Sequence, residues 1–326
     1  MKKKLITIIT ICCMLFVCLA AVSCAENTED NGENVLDFSL TADGTGYVVN
    51  GLLEYGNEYL DIPSLYNGKP VVKINNNAFT GSNIKSVKIP DTVTSIGDDA
   101  FSNCNSLLGV IIPDSVTTIG DYAFRNCNSL SSVFISDSLI SIGDYAFHNC
   151  NSLTYNTKGE LNYLGSSFNP YIYLVGVENT NVDTIYIDGS CSFIAASAFY
   201  KCKNIISVDI PYFVTSIGEK AFYGCDSLTR VGIGDGVTHI GSKAFYGCGI
   251  TSITIPYNVS SIGERAFSSC VSLSSVTFGA RYSWYVTENY SDWKNKAGGT
   301  NIELNNTYTN ATNFKSTYEN YYWYKL

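Results

Sequence analysis

The chain has 326 residues, with 20 Lys and Arg against 29 Asp and Glu and a net charge of −9 at pH 7. Phosphate contacts need Lys and Arg in excess, so this balance argues against nucleic acid and against direct adhesion to anionic lipid. Two histidines and 24 tyrosines, among many Asn, Ser, Thr and Gly, describe a wet, neutral-polar surface with little catalytic stock.

Residues 1–23 have the layout of a signal peptide. Lys2, Lys3 and Lys4 form a basic start, Leu5 to Val22 carry no charged side chain, and small residues lead into Cys24. Ala21-Val22-Ser23-Cys24 resembles a bacterial lipobox, whose cysteine is lipidated and becomes the mature N-terminus. The usual leucine three residues before the cysteine is missing. On this reading Cys24 is the lipid anchor, and several acyl chains hold where one would be marginal. Two other readings stay open: a conventional cut at Ser23-Cys24-Ala25 that releases a soluble protein, and an uncut run long enough to span a bilayer. Without the leader the balance is 17 basic against 29 acidic residues, or −12.

Residues 24–34 read as a flexible linker and 35–75 as an N-terminal cap, with strands at Tyr47-Val48-Val49 and Leu60-Asp61-Ile62-Pro63 and a turn at Gly68-Lys69-Pro70. Beyond it the dipeptide Ala-Phe recurs, with alanines at 78, 100, 123, 146, 198, 221, 244 and 266. The steps are 22, 23, 23, 52, 23, 23 and 22 residues. Each unit carries Leu-x-x-Val-x-Ile, as at Leu107, Val110 and Ile112, and then Val-x-x-Ile-Gly, as at Val116, Ile119 and Gly120. Val and Ile two apart point to one side of an extended chain, and the residue between them points out. Proline after the first strand (Pro90, Pro113, Pro211, Pro256) ends its ladder for want of an N–H. A unit of 23 residues cannot bury its own apolar face, so eight of them must stack.

Ile-Pro-x-x-Val-Thr-x-Ile-Gly-x-x-Ala-Phe-x-x-Cys-x-x-Leu-x-x-Val, carried at 90–110, 113–133, 211–231 and their neighbours, resembles the BspA-like leucine-rich repeat family of bacterial cell-surface proteins. The resemblance covers about 62–278 and breaks at 153–182. It implies a right-handed leucine-rich repeat solenoid, a parallel β-sheet stack with short turns, of eight repeats over 76–278 and capped at both ends. It also implies a surface protein that adheres to host matrix, host cells or other bacteria.

The 52-residue step holds an insertion, 154–181, with Asn162-Tyr163-Leu164-Gly165 and Pro170-Tyr171-Ile172-Tyr173-Leu174-Val175. It reads as a hairpin projecting from one edge, as a divider between two sub-stacks, or as an old duplication seam. Residues 279–326 lose the repeat, hold all three Trp and end Tyr321-Tyr322-Trp323-Tyr324. A C-terminal cap is the plainer account; an aromatic platform for sugar or protein contacts is the alternative.

Seven cysteines share one column (Cys104, Cys127, Cys150, Cys202, Cys225, Cys248, Cys270), and Cys191 falls in the column of Val116 and Val214. Equivalent positions in adjacent coils sit about 4.8 Å apart with parallel side chains, whereas a disulfide needs converging Cβ atoms at roughly 3.5–4.5 Å. The column therefore reads as buried thiols. One straight ladder cannot supply tetrahedral metal ligands either, and neither a metal nor a cofactor is expected. His148 and His239 occupy different variable columns with no evident partner. Asp98, Asp121, Asp144 and Glu219 form a column that could hold calcium weakly, with solvated charge as the plainer reading. No nucleophile elbow or phosphate-binding glycine pattern appears, so no enzyme is expected.

The outward column between Val and Ile reads Lys88, Ile111, Phe134, Tyr186, Asp209, Gly232, Thr254 and Thr277. Ile111, Phe134 and Tyr186, with Leu108 beside Ile111, are the expected partner-binding stripe on the exposed sheet. The expectation is a non-catalytic surface protein that binds a protein partner. The alternatives are a self-associating structural component and carbohydrate binding through the aromatic C-terminus.

Overall fold

The computed structural model describes residues 36–54, 58–279, 284–288, 294, 298–302 and 307–325. The leader, Cys24 and the linker lie outside the described residues. The chain divides into two compact units, residues 1–154 and 155–326.

In the first unit the apolar period becomes two stacks of strands. Tyr59–Asp61, Ser86–Lys88, Gly109–Ile111 and Ser132–Phe134 lie side by side in parallel. Their Leu60, Val87, Val110 and Val133 point inward and are buried. The Ile-Gly steps form the second stack: Lys69–Ile74, Ser95–Ile96, Thr118–Ile119 and Ser141–Ile142, all parallel. Between the stacks the Ala-Phe turns are tied coil to coil, as where the Phe101 N–H donates to the Ala123 carbonyl at 2.7 Å and that of Phe124 to Ala146 at 2.8 Å. The wedge rings of Phe79, Phe101, Phe124 and Phe147 stack 5.1 to 5.2 Å apart. Truncating one such buried ring typically costs about 3–5 kcal/mol.

The glycine of each Ile-Gly step is set by close approach. A Cβ at Gly97, Gly120, Gly143, Gly218, Gly241 or Gly263 would fall 2.3 to 2.6 Å from a backbone nitrogen of the preceding coil. No side chain fits there. The equivalent residues of the first coils are Asn75 and Ala195, each following its isoleucine (Ile74, Ile194) where no earlier repeat presses on it.

The second unit repeats this plan from its beginning. Phe193–Ile194, Ser216–Ile217, His239–Ile240 and Ser261–Ile262 form the Ile-Gly stack. The other stack is two pairs, Ser207–Ile210 with Arg230–Ile233 and Ser252–Ile255 with Ser275–Phe278. Rings of Phe199, Phe222, Phe245 and Phe267 stack at 4.8 to 5.3 Å.

Residues 154–181 are part of this plan. Asn156–Lys158, Leu161–Leu164 and Tyr173–Val177 are antiparallel to one another, and the last is parallel to Phe193–Ile194. Asn156–Lys158 has no counterpart among the described residues of the first unit, but Leu161–Leu164 and Tyr173–Val177 match the two strands at its start. There, Leu36–Leu40 is antiparallel to Tyr47–Leu52, which is parallel to Lys69–Ile74. Leu36 faces Leu52 and Asp37 faces Gly51, then a bulge skips one residue so that Phe38 faces Val49. Leu161 faces Val177 and Asn162 faces Gly176, then the same bulge brings Tyr163 opposite Leu174. A Cβ on Gly51 would lie 2.5 Å from the Ala78 carbonyl oxygen, and one on Gly176 would lie 2.9 Å from that of Ala198. The Val49 and Leu174 carbonyls then accept from Asn75 and Ala195, both at 2.9 Å. The segment read as an insertion is thus a second N-terminal cap, closing the first coil of its own unit.

The last coil is closed by imitation. Tyr322–Lys325 runs antiparallel along Ser261–Ile262. Phe314 adds a ring to the phenylalanine stack, 5.0 Å from Phe267. The Lys315 Nζ donates to the Leu273 carbonyl at 2.8 Å, and the Asn310 Nδ2 to that of Val276 at 3.2 Å. Trp284, Trp323 and Tyr324 are buried. These buried rings cover the last coil, while Tyr285, Tyr318, Tyr321 and Tyr322 stay partly exposed. Trp293 lies outside the described residues.

Candidate functional site

The cysteine column is structural. All eight cysteines from Cys104 onward are buried with free thiols. In the main column the Sγ of Cys104, Cys127, Cys150, Cys225, Cys248 and Cys270 donates to a phenylalanine carbonyl of an earlier coil, for example Cys127 to Phe101 at 3.1 Å and Cys270 to Phe245 at 3.0 Å. Cys191 is likewise buried and donates to Phe193 at 3.4 Å. Burial pushes the thiols of Cys191, Cys202 and Cys270 up to about 12, far from a reactive thiolate.

The acidic column is structural as well. The Oδ1 of Asp98 accepts the N–H of Asp121 at 2.9 Å, and that of Asp121 accepts from Asp144 at 2.8 Å. The partly exposed carboxylates of Asp98 and Asp121 thus also staple one coil to the next. Among the described residues no group of three or more His, Cys, Asp or Glu is placed to hold a metal ion.

His148 sits against Tyr145, with ring centroids 5.2 Å apart. His239 is part-buried in the Ile-Gly stack, its Nδ1 2.8 Å from the Ser261 hydroxyl. Burial lowers the His239 imidazole from 6.5 to about 4. The folded chain therefore refuses a proton that the unfolded chain takes up at 6.5, so stability is full above about pH 6.5 and falls as the pH drops toward 4. His239→Ser, which copies column mates Ser216 and Ser261, should flatten the thermal midpoint between pH 6.5 and 4. An unchanged slope would show that His239 does not set it.

What remains for binding is exposed surface. On the first unit's sheet Leu108 and Ile111 are half-exposed, and Phe134 faces Ile111 in register but is only partly exposed. Leu108 and Ile111, but not Phe134, line a groove of about 460 Å³ together with Lys85, Lys88, Asp91 and Asp114 among others. It opens where the ladder between Ser86–Lys88 and Gly109–Ile111 narrows to one pair, Ser86 with Gly109. Lys85 is held by Glu58 at 2.7 Å and Lys88 by Asp61 at 3.3 Å, so both lysines of the groove wall are paired with an acid outside it. The hydrogen bond that Lys85 donates to Glu58 raises its ammonium above the usual range. Tyr186 is 82% exposed, but it belongs to the second unit and to none of its strands. The expected stripe of Ile111, Phe134 and Tyr186 is therefore two features: a sheet patch with Leu108, Ile111 and Phe134, and a separate tyrosine.

Two parallel strand stacks per unit, a phenylalanine ladder and end caps define a leucine-rich repeat solenoid. The chain matches the BspA type leucine rich repeat region over residues 72–206 and 192–316, in six copies, and belongs to that family. Among solved structures, the T. pallidum leucine rich repeat protein TpLRR is 23% identical over 75% of this chain and 91% of its own, with a TM-score of 0.43. A leucine rich cell surface protein of Faecalibacterium prausnitzii A2-165 is 29% identical over 79% of this chain and 57% of its own, at 0.34. A leucine-rich repeat protein of Bacteroides ovatus ATCC 8483 is 28% identical over 77% and 90%, at 0.37. No curated protein matches the chain by sequence. Among the described residues no helix is long and apolar enough to cross a membrane.

Proposed function

We propose that the chain is a non-catalytic surface protein, exported and anchored through Cys24, which holds a protein partner against the exposed sheet of its first unit. The observation that carries this reading is the groove lined by Leu108 and Ile111, two half-exposed aliphatic side chains of the sheet. Apolar anchors rimmed by paired charges are what a protein contact desolvates at its centre. Family membership and a neighbour described as a cell surface protein support the location. The resemblance makes a matrix or cell-surface protein the partner class.

Biolayer interferometry of the mature chain against extracellular-matrix proteins tests it. Saturable binding is expected, weakened about tenfold or more by Ile111→Asp or Phe134→Asp. Tyr186→Ala, made separately, shows whether the second unit contributes. Binding to one matrix protein that ignores both sheet substitutions would overturn the sheet as the binding face. Self-association without any matrix binding would replace the adhesive reading with a structural one.

A further inference from the structure

The column that follows the proline step is solvent-facing. In the first unit it reads Asp91, Asp114 and Asp137, and in the second Gly189, Tyr212, Asp235 and Tyr257. Aspartate suits such a turn; a large ring there gains nothing for the fold. Yet Tyr212 is 64% exposed, its neighbour Phe213 63% and Tyr257 50%. Tyr212 and Phe213 meet edge-on, with centroids 5.5 Å apart and planes at 85°.

A fourth ring extends the edge. Phe168 is 92% exposed at the tip of the cap loop. The Ser166 hydroxyl oxygen accepts the N–H of Phe168 at 3.1 Å and that of Asn169 at 2.9 Å. Asn169 is tied twice to Ser190, donating to its carbonyl at 3.1 Å and accepting from its hydroxyl at 3.0 Å. Ser190 occupies the place in its coil that Phe213 occupies in the next, since Cys191 and Val214 bond back to Asp188 and Pro211 alike. The backbone under the other rings is equally fixed: Val214 and Val259 donate to Pro211 and Pro256, both at 3.2 Å, and the Asn258 amide donates to the Asp235 carbonyl at 2.6 Å. These rings are held out on rigid turns.

We propose that the edge formed by Phe168, Tyr212, Phe213, Asp235 and Tyr257 binds an uncharged, β-1,4-linked polysaccharide chain. Tyr212 and Tyr257 are two coils apart, with Asp235 between them. Coil spacing, read from the phenylalanine stack, is 4.8 to 5.3 Å. A β-1,4 chain advances by about that distance per pyranose and turns each sugar over relative to the last, so every second sugar shows the same face. Tyrosines on alternate coils meet that period, offering an apolar body to the sugar face and a hydroxyl to its rim. The Asp235 carboxylate accepts hydrogen bonds from the hydroxyls of the sugar between, and it repels an anionic chain. This edge is separate from the sheet groove of the first unit and does not depend on it.

Isothermal titration of the mature chain with cellohexaose and with chitohexaose, against α-1,4-linked maltohexaose, tests the proposal. Saturable binding to a β-1,4 hexaose is expected, with none to maltohexaose. Tyr212→Ala with Tyr257→Ala should weaken it by about tenfold or more, while Ile111→Asp leaves it unchanged. In the unmodified chain, bound hexaose should also shield Tyr212 and Tyr257 from iodination, read by peptide mass spectrometry. No binding to either β-1,4 hexaose, equal binding to maltohexaose, or binding without shielding of these tyrosines would overturn it.

Discussion

Replacing Gly241 by alanine should cost the second unit about 3 kcal/mol or more, from a single added methyl. The new Cβ would stand 2.6 Å from both the Glu219 nitrogen and the Gly218 carbonyl carbon. These are backbone atoms, so no side chain can swing aside. Relief requires the two coils to part, which stretches the bond from the Gly241 N–H to Ile217 at 2.7 Å and that from Lys220 to Ser242 at 2.9 Å. The same movement pulls apart the Phe222 and Phe245 rings, now 5.2 Å from centroid to centroid. Gly189→Ala is the matched control, because a Cβ there meets nothing within 4 Å, and it should stay within about 0.5 kcal/mol. Urea titration followed by circular dichroism reads both. A Gly241→Ala loss below about 1 kcal/mol would mean the stack breathes far more easily than its ladders imply.

That glycine column was legible in the sequence because its period is the period of the stack. The Val, Ile, Ala, Phe and Cys columns follow for the same reason: every coil must bury the same face on its neighbour. Features that depend on conformation rather than residue type were hidden. Each coil holds left-handed residues, and in several places they are bulky: Tyr122, Tyr145, Lys220, Lys243 and Arg265 all have φ between 55° and 58°. Such residues carry a cost of about 1–2 kcal/mol each. The N–H groups of Tyr122, Lys220 and Lys243 donate forward to the next coil, as Tyr122 does to Asp144 at 2.9 Å and Lys220 to Ser242 at 2.9 Å, and that of Arg265 donates to Glu319 of the C-terminal closure at 2.7 Å. Nothing in a tyrosine or lysine announces that.

The acidic column hid a stapling role for a related reason. Asp98 and Asp121 look solvated in a linear sequence, and only the stack shows the amide of the next coil above each carboxylate. For the sheet patch, alternation correctly put Ile111 outward, but it could not show that Tyr186 lies past the second cap and outside any strand. The aromatic edge left a readable trace, Tyr212 and Tyr257 in a column otherwise held by Asp91, Asp114 and Asp137. That trace only gains meaning once exposure shows the rings are not packed.

Residues 155–326, expressed alone, should fold as a cooperative unit. The sequence offered a faint signal, since Asn75 and Ala195 are the two places where the Ile-Gly step lacks its glycine. A coil needs that glycine only where another repeat lies against it, so Ala195 marks a first coil. The second unit then carries closures at both ends: the antiparallel strands of 156–177 before Phe193–Ile194, and Phe314 with Tyr322–Lys325 after Ser261–Ile262. Leu161, Tyr163, Leu164, Tyr173 and Leu174 of the first closure are all buried. At about 1.5–3 kcal/mol for each large apolar side chain, they contribute roughly 7–15 kcal/mol. The whole stability of a domain lies in the range of about 5–15 kcal/mol. A fragment beginning at residue 178 should accordingly lose its sharp thermal transition and bind a hydrophobic dye, while 155–326 shows one transition and native near-ultraviolet dichroism. If 155–326 does not fold, its two closures do not suffice to make it independent. If the fragment from 178 melts as sharply as 155–326, the strands of 156–177 are an ornament on the stack and not its cap.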